Sequence, residues 1–173
     1  AFEAVIGGPF FGARCQRILE TMERLSNESD QPYDRAWARM SKGVTVWFLG
    51  DWATALRCCN EAAAAYREHC RGVAWELAIC DAYRLPSLTY LGDLTKLAQV
   101  VPRALNGSYE RGDLFAAATL RLGQQSVVLL RDDTPDHAMA EASQAIAAFP
   151  TETYLLPHYH YLFAMVQAEL YAG

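Results

Sequence analysis

This sequence has no long apolar run, no excess of positive charge and little lysine. The first two of these shortages exclude several classes of protein. Charged residues interrupt every apolar run well short of the ~20 residues that a membrane-spanning helix needs. Fifteen basic residues against 20 acidic ones leave a net charge of -5, so the chain lacks the basic surface that attracts nucleic acid. We therefore expect no membrane insertion, no nucleic-acid partner and a cytoplasmic location.

The five cysteines are odd in number and include no C-x-x-C pair. That pattern argues against a disulfide framework and against a zinc site. The apolar surroundings of these residues instead predict reduced thiols inside a helical core. The cysteines are Cys15, Cys58, Cys59, Cys70 and Cys80.

Motifs for catalysis are also missing. The Gly-rich stretch 6–12 lacks the Lys-Ser or Lys-Thr pair that holds phosphates and magnesium, so residues 1–11 are predicted to form a flexible lead-in. His158 and His160 lie two positions apart and would point to different faces of a helix, and the same reasoning separates His69 from Cys70. We predict no catalytic residue, no metal site, no cofactor and no enzymatic activity in this chain.

The sequence does contain an internal repeat. Gly50-Asp51 and Gly92-Asp93 lie 42 residues apart in similar surroundings, and a second step of 42 reaches the break at Thr134-Pro135. After each break, apolar or small residues at offsets of 5, 9 and 12 positions share one helical face. The pattern predicts helices near 12–28, 33–49, 52–70, 73–90, 93–109, 113–131, 135–148 and 156–172.

These helices predict an all-α fold built as a stack of antiparallel helical hairpins. A single helical-repeat domain is expected over 12–173, with units at about 33–70, 73–109 and 113–148 and a last helix at 156–172. The last helix has no following neighbour to cover it, which predicts a homodimer formed through a terminal helix.

Residues 36–69 resemble the tetratricopeptide (TPR) family. The matching residues are Gly43, Gly50, Asp51, Trp52, Ala55 and Ala62. The resemblance implies close packing of helix pairs in a right-handed α-α superhelix. Leu85 and Leu97 stand where the family has small residues, and the 42-residue period exceeds the ~34 of an ordinary repeat, which implies a divergent array with longer helices.

A narrower resemblance covers roughly 40–173. The runs ERGDLFAAATLR (110–121), PHYHY (157–161) and ELYAG (169–173) resemble the C-terminal region of large bacterial serine/threonine protein kinases. The resemblance implies a regulatory fragment of a larger bacterial signalling protein, with any ATP and magnesium chemistry outside the chain. The sequence begins with alanine and contains no kinase motif. Both features agree with the expectation that the chain is a fragment of a larger protein.

The functional prediction is a protein-interaction or regulatory module that binds a protein or peptide. A small-molecule sensor that uses an aromatic inner face is the alternative, and ordinary core packing is the alternative for each aromatic residue. Arginine supplies all but two of the 15 basic residues, which suits docking of an acidic peptide. The predicted partner-binding residues are Trp37, Met40, Val44, Trp47, Tyr83, Tyr90, Arg121, Gln124, Gln125 and Arg131.

Overall fold

The computed structural model describes the backbone of residues 2–173 and the side chains of residues 4–173. Within this range the chain is all-helical and contains no strand, which confirms the predicted class. The α-helices are α1 (Phe2–Gly7), α2 (Gly12–Glu28), α3 (Pro32–Phe48), α4 (Trp52–His69), α5 (Ala74–Tyr90), α6 (Leu94–Glu110), α7 (Leu114–Leu122), α8 (Pro135–Ile146) and α9 (Leu156–Ala172). Two 3-10 helices occupy Gly8–Phe11 and Gln124–Leu130.

The chain divides into two compact units, Ala1–Ser87 and Leu88–Gly173, where the sequence predicts one domain over 12–173. In the first unit, α3 packs against both α2 and α4. In the second unit, α7 packs against α6, α8 and α9, and α8 also packs against α9. In these groups of helices, each helix packs against the one that follows it in the sequence.

Two predicted segments differ from the observed elements. The lead-in 1–11 includes helix α1 and a 3-10 helix, and Ala4 is buried; Ala1 lies outside the described residues. The predicted helix 113–131 is interrupted at Gly123, whose backbone is extended. The Gln125 side chain donates a hydrogen bond to the carbonyl of Thr119 at 2.5 Å. The same carbonyl also accepts a hydrogen bond from the Gly123 backbone N–H at 2.8 Å, and the chain continues beyond this point as a 3-10 helix.

Three of the turns between helices share one design. In the three Gly-Asp turns, the glycine has a positive φ and the aspartate carboxylate accepts a hydrogen bond from the backbone N–H three residues ahead, at 2.9 to 3.0 Å. Only glycine adopts that φ without strain, and the carboxylate caps the next helix. At the third predicted break, Asp133 has a φ of 56° in place of a glycine. Residues with a positive φ lie between helices every 20 to 22 positions, at Gly50, Gly72, Gly92, Gly112 and Asp133, although Gly72 is not part of a Gly-Asp turn.

Helices α3 and α4 approach each other closely at Gly43. A Cβ at this position would lie 2.6 Å from the Sγ of Cys59 and 3.3 Å from the carbonyl oxygen of Ala55. Ala55, Cys59 and Ala62 have no exposed surface. The close packing expected at Gly43 is therefore confirmed, and it depends on small side chains in both helices.

Candidate interaction surfaces

A groove of about 780 Å³ runs along helix α2 in the first unit, and we call it the α2–α3 groove. One face of α2 forms its length, because residues three and four positions apart share a helix face. Between Arg14 and Leu25 this face extends roughly 16 Å at 1.5 Å per residue. The lining residues are Arg14, Arg17, Ile18, Thr21, Met22, Leu25 and Ser26 from α2, with Asp34 and Trp37 from α3.

The groove is apolar in its middle and charged at its two ends. Ile18 and Leu25 are 49% and 53% exposed, so this face of α2 lies open. Arg17 stands near the start of α2 and forms no ion pair within the described part of the chain. Asp34 stands at the other end, because α3 begins a few residues after α2 ends; its carboxylate accepts a hydrogen bond from the Ser29 hydroxyl at 2.6 Å. One end of the groove is therefore basic and the other acidic.

A row of stacked aromatic rings adjoins the acidic end, and we call it the aromatic ladder. Trp37 lies between Tyr33 and Trp75, with ring centroids 5.9 and 6.0 Å away and interplanar angles of 25° and 22°. All three side chains are exposed, Trp75 to 58%. The Tyr33 hydroxyl donates a hydrogen bond to the Glu76 carboxylate at 2.8 Å, and this bond raises the pKa of Tyr33. The bond connects the start of α5 to the start of α3.

The predicted partner-binding residues of the first unit divide between surface and core. Trp37 is exposed in the ladder, whereas Met40 and Val44 are buried in the core between α3 and α4. Trp47 and Tyr83 are partly buried and meet edge to face, with centroids 5.5 Å apart. Of these five residues, Trp37 is the one with an exposed side chain, and core packing accounts for Met40 and Val44.

In the second unit, the two predicted arginines line a groove of about 510 Å³, which we call the α6–α8 groove. Both guanidinium groups are already held. Arg121 donates to the Glu141 carboxylate at 2.8 Å, and Arg131 donates to the Asp132 carboxylate at 2.8 Å. The apolar part of this groove is formed by Ala98, Val101, Pro102, Leu105, Leu120, Val128 and Leu129.

The other three predicted residues of this unit lie apart from the α6–α8 groove. Tyr90 is exposed at the end of α5. Gln124 opens the second 3-10 helix, and its carbonyl accepts a hydrogen bond from the Thr89 hydroxyl at 3.4 Å. Gln125 is 2% exposed. Its side chain is directed to the backbone of α7, so it presents no surface to a partner.

Sequence reasoning missed the α2 face and two members of the ladder, Tyr33 and Trp75. The repeat pattern begins near residue 33, so helix 12–28 lies outside every predicted repeat unit. Ile18, Met22 and Leu25 recur at steps of four and three, a spacing that does indicate one apolar helix face. That spacing predicts an apolar face but gives no information on whether a neighbouring helix covers it.

The thiols belong to the core. All five cysteines are free, and four of them are buried. Burial raises the pKa of Cys58, Cys59 and Cys80, that of Cys80 to about 12. These three groups therefore remain protonated at neutral pH and are poor nucleophiles, because the thiolate is the reactive form.

The histidines near the start of α9 have structural positions. The Nδ1 of His158 accepts a hydrogen bond from the backbone N–H of Leu155 at 3.0 Å, so this side chain caps the start of α9. The Nδ1 of His160 is buried and has no hydrogen-bond partner in the described structure, and burial lowers the pKa of this imidazole. Among residues 4–173, no three side chains of histidine, cysteine, aspartate or glutamate converge as metal ligands would.

The described residues thus define an all-helical protein with exposed grooves. Comparison of the chain with protein-family models, with curated proteins and with solved structures finds no match. No helix in the described range combines the length and the apolar character needed to cross a bilayer. The chemistry of the grooves and the ladder is therefore the basis for a functional interpretation.

Proposed function

We propose that this chain is a protein-interaction module that binds an amphipathic helix of a protein partner in the α2–α3 groove. The observation that carries the proposal is the position of Trp37, which belongs both to the groove and to the aromatic ladder. An exposed apolar helix face thereby continues into exposed aromatic rings. Grooves of this kind bind helices through residues spaced three and four apart, and large aromatic side chains supply much of the affinity.

The charges at the two ends of the groove specify the partner further. Arg17 attracts a carboxylate at one end, and Asp34 attracts a basic side chain at the other. Because the chain carries a net charge of -5, the arginine end is a local exception that steers an acidic segment to this site. The expected partner is a helix of about three turns with an apolar stripe, an acidic end and a basic end.

For the fold, we infer a right-handed, TPR-like array of hairpins within a larger bacterial signalling protein, a serine/threonine protein kinase. The recurring Gly-Asp turns and the close approach at Gly43 support the repeat architecture. Helix α7 packs against the preceding helix α6 and also against the later helix α9. This packing supports an array in which a helix contacts more than its nearest neighbours in the sequence. The resemblance of 40–173 to kinase C-terminal regions supports a regulatory role, and unchanged activity of the parent kinase after deletion of the module would contradict that role.

Selection from a displayed library of helical peptides tests the binding proposal. The purified chain is expected to enrich peptides with apolar residues at steps of three and four and with acidic residues toward one end. Leu25→Asp places a charge in the apolar middle of the groove and should weaken binding of the selected peptides at least about tenfold. Fluorescence anisotropy of labelled peptides measures this change.

Leu114→Asp is the matched control. Leu114 is 60% exposed at the first position of α7, where an added negative charge is favoured by the helix dipole. Its peptide affinity should equal that of the unaltered chain. Failure to enrich any binder, or equal binding by the Leu25→Asp variant, would show that the groove does not hold a helix.

The α6–α8 groove favours a second candidate function, a small-molecule sensor. Its volume of about 510 Å³ lies within the ~300–1,000 Å³ that ligand sites occupy. A metabolite screen by ligand-observed NMR tests this function, with Leu105→Trp as the variant that fills the groove. Hits that bind the variant equally well would exclude the α6–α8 groove as their site.

A further inference from the structure

We infer that the helix bound in the α2–α3 groove is helix α2 of a second copy of this chain, docked antiparallel to the first. The inference rests on the proposed function, because it names the occupant of the same groove. For two copies to dock in this way, the exposed face of α2 must be complementary to the same face of a second copy. Three features of that face provide the match.

The first feature is the separation of charge along α2 and the start of α3. Arg17 lies near the beginning of α2, whereas Asp34 lies beside the end of α2 and lines the groove together with Ser26. A two-fold axis reverses the direction of the second helix, so each basic end meets an acidic end. With the axis near Thr21, Arg17 of one copy lies opposite Ser26 and Asp34 of the other.

The second feature is the apolar middle of the face. Ile18 and Leu25 lie seven positions apart, which is the repeat that keeps apolar residues at the seam of two paired helices. Both side chains are about half exposed, and Met22 lies between them on the same face. In the antiparallel pair, Ile18 of one copy packs near Met22 and Leu25 of the other, so each apolar side chain leaves water.

The third feature is the penalty for other arrangements. A parallel pair would place Arg17 beside Arg17 and Asp34 beside Asp34, and adjacent like charges repel. The antiparallel pair avoids both contacts. The charge pattern therefore selects one arrangement of two identical chains, and no second sequence is needed to provide complementary ends.

The size of the contact sets the expected strength. One helix face of about three turns buries no more than the ~800 Å² per partner of a standard interface. The two charge contacts lie at the rim of the groove, where each contributes little free energy. We expect a weak dimer whose population rises with chain concentration in the micromolar range.

Sedimentation velocity over micromolar to millimolar chain concentrations measures the monomer–dimer equilibrium. In a dimer of Arg17→Glu, each introduced glutamate lies opposite Asp34 of the other copy. In a dimer of Asp34→Arg, each introduced arginine lies opposite Arg17. Each variant alone should therefore dimerise about tenfold more weakly. An equimolar mixture of the two variants should recover dimerisation. In the mixed dimer the introduced carboxylate of one chain lies opposite the introduced guanidinium of the other. At the second contact, the native Arg17 and the native Asp34 form the original pair. Arg103→Glu makes the same charge change on α6 and should dimerise like the unaltered chain.

The stability of the variants is checked by circular dichroism. Asp34→Arg removes a carboxylate from the first turn of α3 together with its hydrogen bond from Ser29, so a lower melting temperature is expected. If this variant does not fold, Arg17→Glu and Leu25→Asp carry the test, since both side chains are exposed on α2. Both should then be monomeric at concentrations where the unaltered chain is dimeric.

Three outcomes would overturn the inference: a monomer at every concentration, unchanged dimerisation of Arg17→Glu, or a mixture of the two charge variants that stays monomeric although both variants fold. A monomeric chain that still binds library-selected peptides in the groove would leave the proposed function standing and remove only the second copy as its partner. A chain that neither dimerises nor binds peptides would contradict both proposals.

Discussion

Replacing Gly43 with alanine adds one methyl group where α3 and α4 are in close contact. The new Cβ would lie 2.6 Å from the Sγ of Cys59, 3.3 Å from the carbonyl oxygen of Ala55 and 3.3 Å from the Cβ of Cys58. Cys59 and Ala55 have no exposed surface, so neither can move into solvent. Relief requires that the two helices separate or that Cys59 change its rotamer against packed neighbours.

Two opposing effects determine the magnitude. Alanine is favoured over glycine in a helix interior by about 1 kcal/mol. Overpacking of a well-packed core costs about 1–3 kcal/mol, and contacts on three sides, one of them a backbone carbonyl, place Gly43→Ala in the upper part of that range. The net loss in the free energy of unfolding should be about 1–2 kcal/mol, which lowers the melting temperature by roughly 2–8 °C.

Gly107→Ala is the matched control. Gly107 also lies inside a helix, but its Cβ would meet only the end of the flexible Arg111 side chain, at 3.1 Å. This variant should gain about 0.5–1 kcal/mol of stability from helix propensity. The same chemical change is thus expected to have opposite signs at the two positions.

Urea unfolding with two probes measures both effects. All four tryptophans lie in the first compact unit, so tryptophan fluorescence reports on the unit that contains Gly43, whereas circular dichroism reports on both units. Adding Cys59→Ala to Gly43→Ala removes the nearest atom and should recover part of the lost stability. A Gly43→Ala variant as stable as the unaltered chain, or a stabilisation equal to that of Gly107→Ala, would refute the close approach of α3 and α4.

Three further variants test separate features. Asp93→Ala removes a helix cap and should cost about 1 kcal/mol in thermal unfolding, and no loss would show that the 3.0 Å bond to the backbone does not form in solution. Tyr66→Phe should leave stability unchanged or raise it by up to about 1 kcal/mol, because the Tyr66 hydroxyl is buried with no hydrogen-bond partner in the described residues; a clear loss in urea unfolding would indicate a bond to this group. Burial lowers the pKa of His160, so the unfolded chain binds its proton first and stability should fall as pH drops through about 6.5 toward the lower folded value. His160→Gln should flatten that part of the stability profile, and an unchanged slope would assign it to other groups.

Helix boundaries can be predicted because their signals are local. A glycine followed by aspartate both ends one helix and caps the next, and Gly50, Gly92 and Gly112 are identifiable on that basis. At the interruption, Gly123 has an extended backbone, and the Gln125 side chain adds a hydrogen bond to the carbonyl of Thr119. Gly123 is not followed by an aspartate, and the segment QQSVVLL after it contains no proline, so the sequence predicts one continuous helix there.

The candidate site is harder to predict because exposure is a tertiary property. Met40 and Val44 on one helix and Ile18 and Leu25 on another have spacings that place each pair on one helix face, yet the first pair is buried and the second is open. Periodicity identifies an apolar face and leaves undetermined whether a neighbouring helix covers it. The ladder requires α5 to lie beside α3, which no pattern within either helix could indicate.

The regular spacing of the left-handed turn residues makes the chain suitable for cutting and rejoining at its turns. Each of the three Gly-Asp turns contains a complete helix ending and a complete helix beginning within a few residues. A duplication or deletion of one whole 42-residue segment, joined at the equivalent glycines Gly50 and Gly92, would therefore leave every helix with both of its ends intact. A chain organised in this way can change in length by whole hairpins, and the new junction would reproduce a turn that the protein already contains.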